Sequence, residues 1–595
     1  MKKTFTFGLT LFLAVSLAPL FAGPGEEVVV EEATASQFEG MVDIEYTGYE
    51  AGKKGGRFVF SGFNDPKTFN LIVADETSST AIINRMYGAL VRRNQMTLEW
   101  EPWLAESWTI SQDQKIITYK LRDNLKWSDG TPLTAEDFAY SKEVSFMEGV
   151  QGSTSDAYYV GEEIADVIAV DSQTVRLVLP EVYAGAFNMS TFQPVPKHIV
   201  KPIIDEGGIE EFNAFWGVDS DVTQIVGCGP FLLKEYVSSQ KIVMTPNPNY
   251  YEKDENGVQL PYIDEFVILI VEDQDTQLEK FLSGELDFYG LRGEDYAVLL
   301  DEKEALDFEL YNVGPATGTN FITFNQNPIE GEEDAGISGP KLEWLSNQKF
   351  RRSIAHLIDR ETIINNVAYG FGYPQYSFIP RFSPYYWDGV DDAAFKYDPE
   401  TAKQLLDEID YKDRDGDGFR EDPSGNKIAL VLNTNSGNST REAIGEMIAQ
   451  EAKKIGIDIT FKPEDFNSLV TKLVSTYDWE LIIIGLTGSI DPVSGSNVYP
   501  SRGNLHMIEP NQDSPRREWE SYVDAAWDEA NLTLDEDQRK SGFEKIQRTW
   551  MEQIPWAYTV NLATMHAYKT NWGNIFPHPV NGYSWDGIIH RIYVK

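Results

Sequence analysis

Cysteine is almost missing. Cys228 is the single thiol in 595 residues, so no internal disulfide can form, and a cysteine-built zinc cluster, which needs several thiolates, is excluded. Histidine is nearly as sparse: His198, His356, His506, His566, His578 and His590 stand without close pairing and read as packing or surface residues rather than metal ligands. Positive charge is in deficit, with 50 Lys and Arg against 94 Asp and Glu for a formal charge of −44. Such a chain repels polyphosphate, which disfavours nucleic acid and anionic lipid surfaces as partners. Beyond residue 21 no stretch approaches the ~18 consecutive apolar residues of a membrane span. Enzyme signatures are also lacking: there is no Gly-x-Ser-x-Gly elbow, no His-Glu-x-x-His, no phosphate loop and no dinucleotide fingerprint. A glycosidase would need two carboxylates facing one cleft, and among 94 acidic residues no pair stands out.

What is present is enough to build large cores, since 42% of the residues are hydrophobic and 13% aromatic. At ~100–200 residues per domain the length allows three or four compact units. Lys2 and Lys3 precede an apolar run from Phe5 to Phe21 that exits at Ala22 and Gly23. A charged start, a short apolar stretch and a small-residue exit read as a secretory signal peptide over 1–22, followed by an acidic tether over 23–53. The expected protein is periplasmic or secreted, soluble and monomeric. Lipid anchoring would need a cysteine just after the signal, and none stands there.

Hydrophobic spacing predicts strands at 57–61, 115–121, 175–179, 242–245, 266–271, 428–433, 458–461 and 481–484. It predicts helices at 80–90, 276–283, 348–369, 399–409, 439–455 and 537–552, and one starting at Thr134 with Asp137 three residues on as a capping box. Helices and strands alternate throughout, which is the pattern of an α/β architecture.

One motif carries specific chemistry. Asp413-Arg-Asp415-Gly-Asp417-Gly418-Phe419-Arg-Glu421 places carboxylates at alternate positions with a turn glycine and a carbonyl at Phe419, as in the first half of a calcium loop. The twelfth position is Ser424 rather than Glu, so a full EF-hand is not expected. Two readings stay open: a bound structural calcium held by Asp413, Asp415, Asp417, Phe419 and Glu421, or a bare Asp/Gly turn. No other cofactor is required.

Several segments, in order, resemble the family 5 extracellular solute-binding proteins, the oligopeptide- and dipeptide-binding components of ABC importers. They are Trp103-Leu-Ala-Glu-Ser-Trp108, Leu121-Arg-Asp-Asn-Leu-Lys-Trp-Ser-Asp-Gly-Thr-Pro-Leu-Thr-Ala-Glu-Asp137, Gly227-Cys-Gly-Pro-Phe-Leu232, Asn247-Pro-Asn-Tyr-Tyr251, Ser283-Gly-Glu-Leu-Asp287 and Phe350-Arg-Arg-Ser-Ile-Ala-His-Leu-Ile-Asp-Arg360. The resemblance implies a periplasmic-binding-protein-like α/β fold of two lobes around a hinge-closing cleft. The first lobe would be discontinuous (54–84, 205–310, 555–595), with an inserted α/β domain at 85–204 and a second lobe at 311–554. The chain would cross between lobes near Tyr311 and Ile554. Capture of a solute, delivery to ABC transporter permease subunits and no catalysis are what it implies for function.

The ligand is where this sequence departs from the peptide binders. Those carry an Ala-Asp-Tyr-x-Asp-Pro-like stretch whose first Asp anchors the ligand's amino group, whereas this chain reads Thr487-Gly488-Ser-Ile-Asp491-Pro492. Gly488 then stands at the anchoring position, and Asp491 serves if the register slips. Peptides or similar oligomers are the first expectation. Oligosaccharides of cello- or manno-type are the second, with Asn325, Asn327, Trp387, Asn497, Tyr499 and Trp585 as neutral and aromatic wall residues. Arg381 and Arg502 could pair with a ligand carboxylate. A secreted glycosidase is the remote third.

Overall fold

The computed structural model describes residues 46–94, 96–152, 154–328, 336–510, 512–577 and 589–595. The expected signal peptide and most of the tether lie outside the described residues, as does Trp585.

The strand Arg57–Gly62 buries Phe58 and Phe60 by simple alternation. It runs parallel to Glu265–Ile270, which pairs antiparallel with Lys241–Pro246, itself antiparallel to Phe231–Val237. This sheet therefore joins strands some two hundred residues apart, as a discontinuous lobe requires. Between them in sequence lies a separate antiparallel sheet of Ala105–Ile110, Ile116–Leu121, Thr174–Val178 and Asp166–Asp171. The helix Ala135–Ser145 packs on it and begins at the expected capping box, where the Thr134 amide donates to the Asp137 carboxylate at 2.8 Å.

A second α/β unit is built on the sheet Asp458–Glu464, Ala429–Asn435, Leu481–Leu486, Thr319–Phe324 and Trp556–Tyr558, in that order. Its first three strands are parallel, with the helix Ser439–Lys454 as the crossover that parallel pairing demands. Both faces are covered. Ile322 and Phe324 face one apolar cluster with Leu432, Ile448 and Ile483, while Phe321 faces another with Tyr499, Trp527 and Trp550. Double burial explains why Leu481-Ile-Ile-Ile484 is a continuous apolar run instead of an alternating one.

Several predicted boundaries change. The helix expected over 80–90 runs Thr77–Met86, and Tyr87 after it is extended. The helix expected over 348–369 is two, Gln348–Ala355 and Arg360–Asn366, because Asp359 adopts a non-helical conformation and caps the second through the Thr362 amide at 3.0 Å. The segment 104–108, which carried no assignment, is part of the strand Ala105–Ile110.

The chain changes sheet a few residues later than the sequence suggested. Outward, Phe308–Pro315 belongs with Val560–Lys569 and Thr319–Phe324 with the second-lobe sheet, so the crossing is 316–318. On the return, Trp556–Tyr558 pairs with Thr319–Phe324 before Val560–Lys569 leaves, so the crossing is Thr559. The two crossings lie side by side: the Thr559 backbone amide donates to Asn320 O at 2.9 Å, and the Asn561 side-chain Nδ2 donates to Ala316 O and Gly318 O at 3.0 and 2.9 Å.

Candidate ligand-binding site

In open parallel sheets ligands sit beyond the carboxyl ends of the strands. Here those ends belong to Ala429–Asn435 and Leu481–Leu486, and the second abuts the crossing 316–318, where Gly318 packs against the Leu486 carbonyl. The Arg441 guanidinium, at the start of the crossover helix, donates to Asn435 Oδ1 at 2.8 Å and to Asn320 Oδ1 at 3.2 Å. Facing it from the first lobe, Arg292 donates to Ser439 Oγ at 3.1 Å, and the Ser439 amide donates to Gln274 Oε1 at 3.1 Å.

Past Leu486 the chain carries Thr487, Gly488 and Asp491. Thr487 is exposed. A Cβ built on Gly488 would stand 1.9 Å from the Thr317 carbonyl oxygen, so any side chain there would have to displace the crossing segment. Asp491 caps the short 3-10 turn Pro492–Gly495 through the Val493 amide at 3.1 Å. Both its oxygens also accept from Arg539, at 2.8 and 3.0 Å. Arg539 lies over the Tyr385 ring, 4.5 Å from its centroid, and bonds the Tyr385 hydroxyl. The Tyr385 hydroxyl donates to Glu536 at 2.9 Å.

Across from this cluster stand Arg93 and Tyr183 of the inserted domain. Burial lowers the Arg93 pKa, with the Asp491 and Tyr385 charges acting against that shift. Burial raises the Tyr183 hydroxyl, with Arg502, Asp491, Arg539 and Asp528 all close enough to act on it. Arg502 sits 3.8 Å from Asp528, and the Asn504 amide donates to Asp156 of the inserted domain at 3.1 Å. The structure thus brings Asp491 and Arg502 together in a charged seam between the inserted domain and the second lobe.

The remaining expected ligand residues are placed elsewhere or committed to other partners. Asn325 is fully buried, its amide donating to Tyr477 O and Trp479 O at 2.9 and 2.8 Å while its oxygen accepts from the Asn327 amide at 3.0 Å. Its part is to tie two loops of the second lobe together. Asn327 follows at a half-buried position. Tyr499 is core, with Phe378 4.0 Å and Trp550 5.5 Å away between ring centroids. Asn497 offers its carbonyl to the Leu505 amide at 2.9 Å. Arg381 is held by Asp391 in a two-point pair, both contacts 2.8 Å. Trp387 is half-buried under the Arg548 guanidinium, 3.7 Å from the ring centroid.

Sequence reasoning missed Arg93, Asp156, Tyr183, Tyr385, Asn504 and Arg539. Each reads as an ordinary polar residue within its own segment, and only the docking of distant segments makes them a group.

The acidic hairpin behaves as a unit apart. Asp413, Asp415, Asp417 and Glu421 each bring one carboxylate oxygen within 4.8 Å of the others. Asp413 accepts from the Gly416 and Gly418 amides at 2.7 and 3.0 Å, and the buried Glu421 accepts from the Arg414 amide at 2.7 Å. Gly416 and Gly418 take φ of +84° and +89°, which glycine alone adopts without strain. Lys427 lies 3.5 Å from Asp417 and over the Phe419 ring. The donor set, hard oxygens on a tight turn, fits a calcium ion.

An α/β chain built on several sheets and crossed twice between lobes by adjacent segments, with polar groups of both sides meeting over strand ends, has the fold of the periplasmic binding proteins. The chain belongs to the bacterial extracellular solute-binding proteins, family 5, whose model matches residues 99–506. It is 30% identical to a probable ABC transporter-binding protein of Deinococcus radiodurans over 95% of this chain and 94% of that one. It is 27% identical to the oligopeptide-binding protein AppA of Bacillus subtilis, over 74% and 76%. Among solved structures, AppA with a nonapeptide superposes with a TM-score of 0.78 at 22% identity, covering 92% of this chain and all of that one. MelB of Agrobacterium fabrum with stachyose gives 0.80 at 19% identity, covering 92% and 86%. Proteins of this family are transport components rather than enzymes. Among the described residues no helix is long and apolar enough to cross a membrane.

Proposed function

We propose that the protein captures peptides or similar oligomers between its lobes, outside the cytoplasm, and delivers them to the permease of an ABC importer. The observation that carries this reading is the relatives: proteins named for oligopeptide and dipeptide binding align at 27% identity over 74% and 68% of this chain. The paired crossings at 316–318 and Thr559 support it physically, since a hinge absorbs its motion in a few residues at element ends.

A second reading, uptake of oligosaccharides, draws on a specific feature. Gly488 has no room for a side chain, and both Asp491 oxygens are taken by Arg539. A ligand ammonium therefore has no free carboxylate at this segment, and burying it unpaired costs several kcal/mol. Neutral sugars carry no such requirement, and an alpha-galactoside-binding protein of Rhizobium meliloti aligns at 25% identity over 64% of this chain.

Thermal-shift measurements with peptide and oligosaccharide panels separate the two, because a ligand at 100 times its dissociation constant stabilises by about 2.7 kcal/mol. The first reading expects a shift with peptides. A shift with a cello- or manno-oligosaccharide and none with any peptide overturns it in favour of the second.

For the acidic hairpin we propose a structural calcium ion. Four carboxylates converging within 4.8 Å, with Lys427 as the cation beside them, leave excess negative charge that a divalent cation neutralises.

A further inference from the structure

The seam holds hydrogen-bond donors that nothing in the chain uses. A guanidinium carries five N–H donors, and elsewhere the fold employs them: Arg360 donates to Gln375 O and Phe395 O at 3.2 and 3.1 Å, and Arg351 to Gln553 O at 2.8 Å. Arg502 differs. Among the described residues no group accepts a hydrogen bond from it, and its nearest carboxylate, Asp528, stands 3.8 Å away. Its side chain is only 26% exposed, so water reaches a minor part of it, and partly buried donors without partners are costly.

The neighbours of Arg502 repeat this pattern. Tyr183 of the inserted domain is held against the second lobe by the next two residues: the Ala184 amide donates to Asn531 O at 2.8 Å, and a Cβ built on Gly185 would stand 2.7 Å from Val493. Tyr183 is buried, and Arg502 is close enough to act on its hydroxyl, which has no hydrogen-bond partner among the described residues. Asn504, two positions past Arg502, spends its backbone amide on Asp156 at 3.1 Å. Its buried side-chain oxygen receives no hydrogen bond from a described group.

Unused donors are not unused charge. Both Asp491 oxygens are on Arg539, while Arg502 faces Asp528 and also acts on Asp156. Asp524 and Glu162 add further negative charge around Asp528. One guanidinium among these carboxylates leaves no surplus positive charge for an anion, yet its N–H groups still call for an acceptor.

We propose that Arg502, Tyr183 and Asn504 form a ligand subsite between the inserted domain and the second lobe that takes an uncharged oxygen-bearing segment of the captured oligomer and discriminates against carboxylates there. Arg502 donates to a carbonyl or hydroxyl oxygen, Asn504 Oδ1 accepts an N–H or O–H of the same segment, and the Tyr183 hydroxyl serves in either sense. A carboxylate brought to this place meets Asp528 and Asp156. The subsite narrows the capture reading given above and rests on it.

Isothermal titration of the full chain with tetra-alanine and cellotetraose, each against its acidic counterpart, tetra-glutamate and tetragalacturonate, tests the subsite and identifies whether the oxygen is a peptide's or a sugar's. The neutral ligand is expected to bind at least tenfold more tightly than its acidic counterpart. Arg502→Met is expected to weaken the neutral ligand about tenfold or more, and Arg502→Lys to weaken it as well, because an ammonium lacks the forked donors. An unchanged dissociation constant in Arg502→Met, or tighter binding of the acidic ligand, overturns the subsite and leaves capture standing. Binding of none of the four removes capture of such oligomers and the subsite with it. Urea denaturation without ligand checks the premise: Arg502→Met should leave the midpoint unchanged, and a fall like that expected for Arg539→Ala would show the guanidinium bound within the chain and overturn the subsite.

Discussion

Asp491 and Arg539 lie 48 positions apart and form the central pair of the charged seam. Arg539 retains 5% side-chain exposure and Asp491 19%, so solvent screens the pair only in part. Removing one partner of a fully buried pair costs ~3–5 kcal/mol, and the water on Asp491 reduces that. Arg539→Ala is expected to lower the unfolding free energy by about 2 kcal/mol, measured by urea denaturation. An unchanged midpoint would show that Asp491 is solvated well enough to stand alone. Gly488 teaches a related lesson. Its neighbour Thr317, 171 positions earlier in the chain, leaves no space for a side chain, and nothing in the local sequence announces that.

At the level of elements, the helix Glu536–Gln553 shows how the fold spends its buried arginines. Its exposed carbonyls at the C-terminus need donors, and Ile554 closes it in a left-handed conformation at φ 48°. Arg351 donates to Gln553 O at 2.8 Å and Ile554 O at 3.0 Å, and Arg352 to Glu552 O at 2.9 Å. Buried and, among the described residues, paired with no carboxylate, Arg351 drops to a pKa of about 9, and the negative end of the helix dipole stands where an anion would. The clamp holds the helix just before the return crossing. The acidic hairpin is the other element with a testable role. Calorimetric titration of chelator-stripped protein with calcium is expected to release heat, and Asp415→Asn with Asp417→Asn to abolish it. A heatless wild-type titration would leave the bare turn as the correct description.

The whole molecule carries acid-sensitive groups of both signs. Glu520 is buried, which alone would raise it, yet His506 and Arg517 hold it to about 2. Its Oε1 accepts from Arg517 at 2.6 Å. Glu252 is likewise held well below the usual range despite burial, by His590 and Arg92. A carboxylate depressed in the folded state contributes stability that is present above its unfolded value near 4.3 and is lost as pH falls toward the folded value. Burial keeps His590 below its usual value, so its charging in the unfolded chain adds to the loss below about pH 6.5. The unfolding free energy is expected to fall between pH 4.5 and 2, with Glu520 accounting for about 3 kcal/mol of it. Glu520→Gln should lower stability at pH 7 and flatten that acid limb, as followed by denaturant melts at each pH; an unaltered limb would show that Glu520 titrates normally.

Local rules settled much of this protein before any contact was known. Alternation placed Arg57–Gly62 and Ile116–Leu121, the Thr134 and Asp137 pair started its helix where expected, and ordered family segments fixed the α/β class, because these signals act over a few residues. The residues of the seam were legible only in part, with Asp491 and Arg502 named and Arg93, Asp156, Tyr183 and Arg539 not. Asn325 and Tyr499 looked equally suited to a ligand and proved to be tied into loops and core. Burial, pairing and the absence of room at Gly488 are set by chain segments hundreds of residues apart, and a linear pattern carries no record of which of them will meet.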